Sequence, residues 1–364
     1  MDCLNTGWIS SAGSYVTKFE NEISHFVGSK YAVACVNGTS ALHVALMLSE
    51  VKKDDCVLVP NLTFVATLNA IKYTGASPIL IDVNNDDWQM DLNLLEDFLE
   101  RKTYKLSDKN QFYTYLSSNK KRIKAIVPVH VLGNIGDMDR LIKISKKYNI
   151  DIIEDSSEAL GSWYKKKHAG TFGKFGVFSF NGNKIISTGG GGIIVTNKKM
   201  LARKAKHLTT QAKVSPNEYI HDEVGYNYRL VNVLAAIGLA QLEKIDTILK
   251  NKKKIDDFYK KQLFNIGDIV FQKVCENVNP NNWLFTFRTD KMRTLLDYLN
   301  KSGVQSRPFW MPMNKLNMYC KDLYVTEQNY SELIYNSSIS IPCSAGIKDE
   351  EMEKVSFKIK KFYS

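Results

Sequence analysis

The chain has 364 residues, of which 44% are hydrophobic and 24% charged, a balance that excludes disorder, collagen and coiled coil as descriptions of the whole. Its formal net charge is +11, but only 8 of its 49 basic residues are Arg. Diffuse Lys confers solubility rather than the bidentate grip that Arg supplies, so no nucleic-acid partner is expected.

The N-terminus, MDCLNTGWISS, lacks the basic and apolar regions of a secretory signal, and no run approaches the roughly 18 apolar residues of a membrane span. A cytoplasmic protein with no membrane partner is expected. Strand and helix signals then alternate. Apolar runs at 31–36, 56–60, 77–83, 123–130 and 151–155 read as strands. Helical patterns fall at 39–50, 63–74, 91–99 (with Asp91 as N-cap) and 137–148. Such an order predicts a parallel sheet covered on both faces. From 175 to 196 two strand-like runs follow each other with little room for a helix. A basic helix is expected over 198–207 and an amphipathic one over 230–247. The predicted division is a large αβα domain over 1–247 and a small α+β domain over 248–364.

Residues 101–124 hold 8 basic residues against one acid, so this segment carries most of the excess charge. It reads as a solvated excursion. The six cysteines form no CxxC pair, and the six histidines have no metal-ligand spacing. Reduced thiols and no metal are expected.

Three segments carry chemistry. In FGVFSFNGNKIISTGGGGIIVT (175–196), Lys184 lies in a turn between strands. Burial there would lower its pKa and make the amine nucleophilic; a plain surface lysine is the alternative. In IIEDSSEALGS (152–162), a strand ends in Glu154 and Asp155, with Glu158 three residues on. Ligands bind at such carboxyl ends, although acids at a helix start are also ordinary. In CVNGTSALHVAL (35–46), a strand runs into a Gly-Thr-Ser helix start, which can cradle a phosphate or simply be capped by Thr39 or Ser40. Together, an anion cradle, a carboxylate and an activated lysine meet the needs of pyridoxal 5′-phosphate (PLP). His130 could serve the pocket or be a satisfied strand-end histidine.

The motifs GWISSAG (7–13), NGTSALHVAL (37–46), PNLTFVATLNAI (60–71), PVHVLGN (128–134), EDSSEALGS (154–162), GTFGKFGVFSFNGNKIISTGGGG (170–192) and GYNYRL (225–230) make the sequence resemble the DegT–StrS nucleotide-sugar aminotransferases. FNGNK and HDEVGYNYR (221–229) bring it nearest the LegC-like 4-aminotransferases of the legionaminic acid and bacillosamine type. The resemblance implies the aspartate-aminotransferase fold (PLP fold type I) and a homodimer with composite sites. It implies Lys184 as the Schiff-base lysine, Asp155 at the pyridine nitrogen and Glu158 by the 3′-oxygen. It also implies Phe64 as the stacking ring, and Gly38, Thr39, Ser40 and Ser179 at the phosphate. Asn227 would reach the partner subunit's phosphate, and Trp8, Ile9, Ser10 and Arg229 would contact substrate. The implied reaction moves an amino group from L-glutamate to a UDP- or GDP-linked 4-keto-6-deoxy sugar carrying a 2-acetamido group. Perosamine synthesis on a GDP-linked sugar, or amination of a 3-keto sugar, is the alternative. A regulator on the same fold, without turnover, is more remote.

Overall fold

The computed structural model describes residues 1–10, 13–108, 111–215 and 217–364. Part of the GWISSAG motif, residues 11 and 12, therefore lies outside the described residues, as do 109 and 110 of the basic segment. Short apolar strands joined by helices build an eight-stranded sheet. Its spatial order is Tyr31–Cys35, Gly192–Thr196, Phe175–Ser179, Asp151–Asp155, Ile123–Ile126, Cys56–Pro60, Ser77–Ile81 and Leu323–Val325. Gly192–Thr196 is antiparallel to both neighbours, because no helix returns the chain between it and Phe175–Ser179. The remaining pairs are parallel.

Alternation along the strands sends the apolar side chains into cores on the two faces of the sheet. Val57, Val59 and Leu80 enter one, with helix Gly38–Leu48; Cys56, Leu58 and Ile79 enter the other, with helices Leu92–Lys102 and Met138–Tyr148. This is the expected three-layer αβα arrangement. Asp91 caps its helix as read from the sequence, accepting from the N–H groups of Asn93 and Leu94.

The pattern over 230–247 forms two helices, Asn232–Leu242 and Ile245–Leu263. The second carries the chain across position 247 without a break. Its Ile245 belongs to a core of the large sheet, and its Ile255, Tyr259 and Leu263 belong to a separate C-terminal core. That core packs on a four-stranded antiparallel sheet ordered Val270–Phe271, Phe285–Arg288, Ser338–Ile341, Arg307–Pro308. The C-terminal part also supplies Leu323–Val325 to the edge of the large sheet.

The basic segment is not a bare excursion. It contains a hairpin of Thr103–Asp108 with Gln111–Leu116, in which Tyr104 stacks on Tyr115 and Thr114 is buried. All six cysteines are free. Among the described residues, no helix is long and apolar enough to cross a membrane.

Candidate active site

The carboxyl ends of the central strands meet a loop and two helix starts. Glu154 and Asp155 are consecutive on a strand, so they face opposite ways. Glu154 is buried in structural contacts: it accepts from the N–H groups of Gly170, Phe172 and Gly173 at 2.8, 2.6 and 2.7 Å, and its Oε2 lies 3.0 Å from His130 Nε2. His130 is thus a satisfied buried histidine. Asp155 instead faces a cleft of about 310 Å³. Its Oδ2 accepts from Thr67 Oγ1 at 2.7 Å and its Oδ1 from the Ser157 N–H at 3.1 Å.

Lys184 enters the same cleft from the turn after Phe175–Ser179. That turn is closed by Lys184 N–H donating to the Asn181 carbonyl and Thr188 N–H to that of Phe180, both at 3.0 Å. The amine lies 3.7 Å from Glu158 Oε1 and 3.8 Å from the centroid of the Trp283 ring. Burial holds it below the ordinary lysine range, against the pull of Glu158 and Asp155. Burial likewise pushes the Glu158 carboxyl up to about 7, although Lys184 and the Leu132 N–H, 2.8 Å away, oppose the shift.

The cradle lies at the start of helix Gly38–Leu48. Its N-cap is Asn37, not Thr39 or Ser40: Asn37 Oδ1 accepts from the Ser40 N–H at 2.8 Å. Ser40 is buried, with its hydroxyl against Tyr228, and does not line the cleft. Gly38, Thr39 and Ser179 do. A Cβ on Gly38 would come within 3.0 Å of Ser179 Cβ, and one on Gly192 within 2.4 Å of the Asn37 carbonyl carbon. Glycine at both positions lets the strand end and the helix start close on each other. Phe64 stands half-exposed over the cleft, edge-on to Trp310 at 6.1 Å.

Five other predicted residues do not enter this chain's cleft. Asn227 is exposed and bridges to Thr210. Arg229 Nη2 donates to Gln211 Oε1 at 3.1 Å. Trp8 and Ile9 are 59% and 49% exposed, and Ser10 is exposed beside them. Their segment is anchored by Asn232, which donates to the carbonyls of Trp8 and Ser10 at 2.7 Å. Conversely, Thr67, Ser157, Asn181, Asn183, Trp283 and Trp310 line the cleft and escaped the sequence reading. The two tryptophans come from the C-terminal part. Their scarcity, 5 Trp in the chain, was the one available signal.

These residues fit PLP: helix-start N–H groups and hydroxyls suit a phosphate, Phe64 an aromatic ring, Asp155 a pyridinium and the buried Lys184 amine an aldehyde carbon. On a large, mostly parallel sheet, that combination defines the class of PLP-dependent aminotransferases of fold type I. The DegT/DnrJ/EryC1/StrS aminotransferase family matches residues 1–360, and the chain belongs to it. GDP-perosamine synthase of Escherichia coli O157:H7 is 37% identical over 366 residues, covering 100% of this chain and 94% of the relative. The UDP-4-amino-4,6-dideoxy-N-acetyl-beta-L-altrosamine transaminase of Campylobacter jejuni subsp. jejuni serotype O:23/36 is 32% identical over 372 residues, covering 98% and 93%. A DegT DnrJ EryC1 StrS aminotransferase from Brucella abortus has the same fold, with a TM-score of 0.91 at 23% identity over 100% of this chain and 94% of that one. The protein is a PLP-dependent sugar aminotransferase.

Proposed function

We propose that the enzyme transfers the amino group of L-glutamate to C4 of a nucleoside-diphosphate-linked 4-keto-6-deoxy sugar. The observation that carries this reading is the buried Lys184 amine sharing one cleft with Asp155 and Glu158. When bound, PLP carries the amino group between the two substrates and delocalises negative charge at the reacting carbon. Lys184 Nζ takes the proton from the donor's Cα and, in the second half-reaction, returns one to C4 of the sugar. Asp155, oriented by Thr67 and Ser157, would hold the proton on the pyridine nitrogen. Gly38, Thr39 and Ser179, which line the cleft, would hold the phosphate, and Phe64 would face the ring.

GDP is the favoured nucleotide, because relatives 37%, 34% and 32% identical all bear the name GDP-perosamine synthase. A UDP-linked 2-acetamido sugar is the second reading, supported by the FNGNK and HDEVGYNYR motifs and by the Campylobacter relative. The acting unit is a homodimer. Asn227, Trp8, Ile9, Ser10 and Arg229 lie outside their own chain's cleft, as residues serving a partner's cleft would.

Purified holoenzyme supplied with L-glutamate and either GDP- or UDP-linked keto sugar separates the readings by the mass of the aminated product. Lys184→Ala should cut 2-oxoglutarate release by about 10³-fold or more, within the range of lost general acid–base catalysis together with the lost nucleophile. Turnover near wild type in that variant would end the assignment.

A further inference from the structure

A second cleft, of about 460 Å³, shares Asn183, Lys184, Trp283 and Trp310 with the first. The two therefore meet at the lysine. The first holds the carboxylates Asp155 and Glu158. The second is lined by the basic side chains of Lys184, Lys252 and Arg307 and, among the described residues, by no carboxylate.

The C-terminal sheet explains this charge. Arg307 stands opposite Ser340, and Ser340 opposite Thr286, so the three form one row on one face. The Ser340 and Thr286 hydroxyls lie 2.8 Å apart. The next row, with Ile339 and Phe287, turns into the C-terminal core. Arg307 is exposed, and Nη1 donates to the neighbouring Ser306 carbonyl at 3.3 Å. Among the described residues no carboxylate lies in ion-pair reach of it.

Lys252 comes from helix Ile245–Leu263 and is 5% exposed. Its ammonium donates to the Cys343 carbonyl at 2.5 Å. Asp256, one turn along the helix, is bound by Lys260 at 2.8 Å. Burial holds the Lys252 amine below its usual range. A buried ammonium with a carbonyl for its acceptor is costly, and an anion in the cleft would offset that cost.

We propose that this second cleft is an oxyanion subsite, in which Arg307 and Lys252 hold the anionic group of the substrate remote from the reacting carbon. The inference rests on the proposed reaction, whose two substrates both carry such a group. These are the side-chain carboxylate of the amino donor and the diphosphate of the sugar nucleotide. Either suits a guanidinium fork backed by an ammonium and the Ser340 hydroxyl.

The probes are inorganic pyrophosphate and glutarate, a dicarboxylate without an amine, titrated into holoenzyme by calorimetry. Wild type should bind at least one of them, and Arg307→Gln should weaken that binding by about tenfold or more. Arg307→Lys should retain part of it. Arg307 is exposed, so the variants should keep the wild-type circular dichroism spectrum. Weakened pyrophosphate binding, with a raised KM in the sugar half-reaction and little change in kcat, identifies the diphosphate as occupant. Weakened glutarate binding, with a raised KM for L-glutamate, identifies the donor carboxylate. Wild-type affinity for both probes in Arg307→Gln overturns the subsite. These titrations need no turnover, so their failure is distinct from an unaffected Lys184→Ala enzyme, which would overturn the reaction itself.

Discussion

The pair Glu154–Asp155 shows how little separates an acid locked in structural contacts from one that faces a cleft. Both are buried, and they are adjacent in the chain, yet the strand turns one toward four donors and the other into the cleft. The sequence displays two acids at a strand end; the pleat decides which one faces the cleft. Glu158 gives a test at the same scale. Its carboxyl keeps its proton up to about 7 in the folded protein, against 4.5 for a free glutamate. The folded state therefore binds the proton more tightly than the unfolded chain. That contribution to stability is complete below about pH 4.5 and is lost as pH rises through about 7. In cofactor-free protein, Glu158→Gln should gain stability relative to wild type across that window. Thermal denaturation at several pH values reads this directly, and a difference in Tm independent of pH would contradict it.

At the scale of elements, the junctions carry the information. Asp82 follows strand Ser77–Ile81 and is fully buried. Its carboxylate accepts from the N–H groups of Tyr330 and Ser331 at 2.8 and 2.9 Å, and from Thr326 Oγ1 at 2.7 Å. It thereby caps helix Tyr330–Ser337, nearly 250 residues away in the chain. It also ties down the segment that adds strand Leu323–Val325 to the large sheet. Asp82→Ala would leave these donors buried without an acceptor. It should cost about 3 kcal/mol, seen as a lower Tm and faster proteolysis near residue 326. A Tm within a degree of wild type would show that the cap is dispensable. No local signal marks Asp82, because its partners are distant in sequence. The hairpin within 101–124 escaped for a different reason: its first strand, TYKLSD, is almost wholly exposed and too short and charged to stand out from a solvated loop. The break after Leu242 was equally invisible, since apolar residues continue on both sides of it.

Across the whole molecule, the clefts lie where the large sheet meets the C-terminal part, with Trp283 and Trp310 closing them from that side. The homodimer proposal is tested by complementation. Lys184→Ala and Asn227→Ala chains, each inactive alone, should recover activity when refolded together, because one mixed site then holds both wild-type residues. Mixtures as inactive as their parents would place Asn227 outside the partner's site.

The sequence by itself displayed the alternating strands and helices of the αβα part up to residue 196 and the candidate residues Gly38, Thr39, Phe64, Asp155, Glu158, Ser179 and Lys184. Strand and helix periodicity and short motifs are local, so one chain carries them openly. Only the tertiary structure decided that these residues share one cleft, that Ser40 turns away from it and that two tryptophans from the far end of the chain complete it. It also resolved the net charge of +11. Much of that excess lies in and around a hairpin, while Lys252 and Arg307 line a cleft that, among the described residues, has no carboxylate. Contacts between residues distant in sequence, and the burial that shifts the Lys184 and Glu158 protons, exist only once the chain has closed on itself.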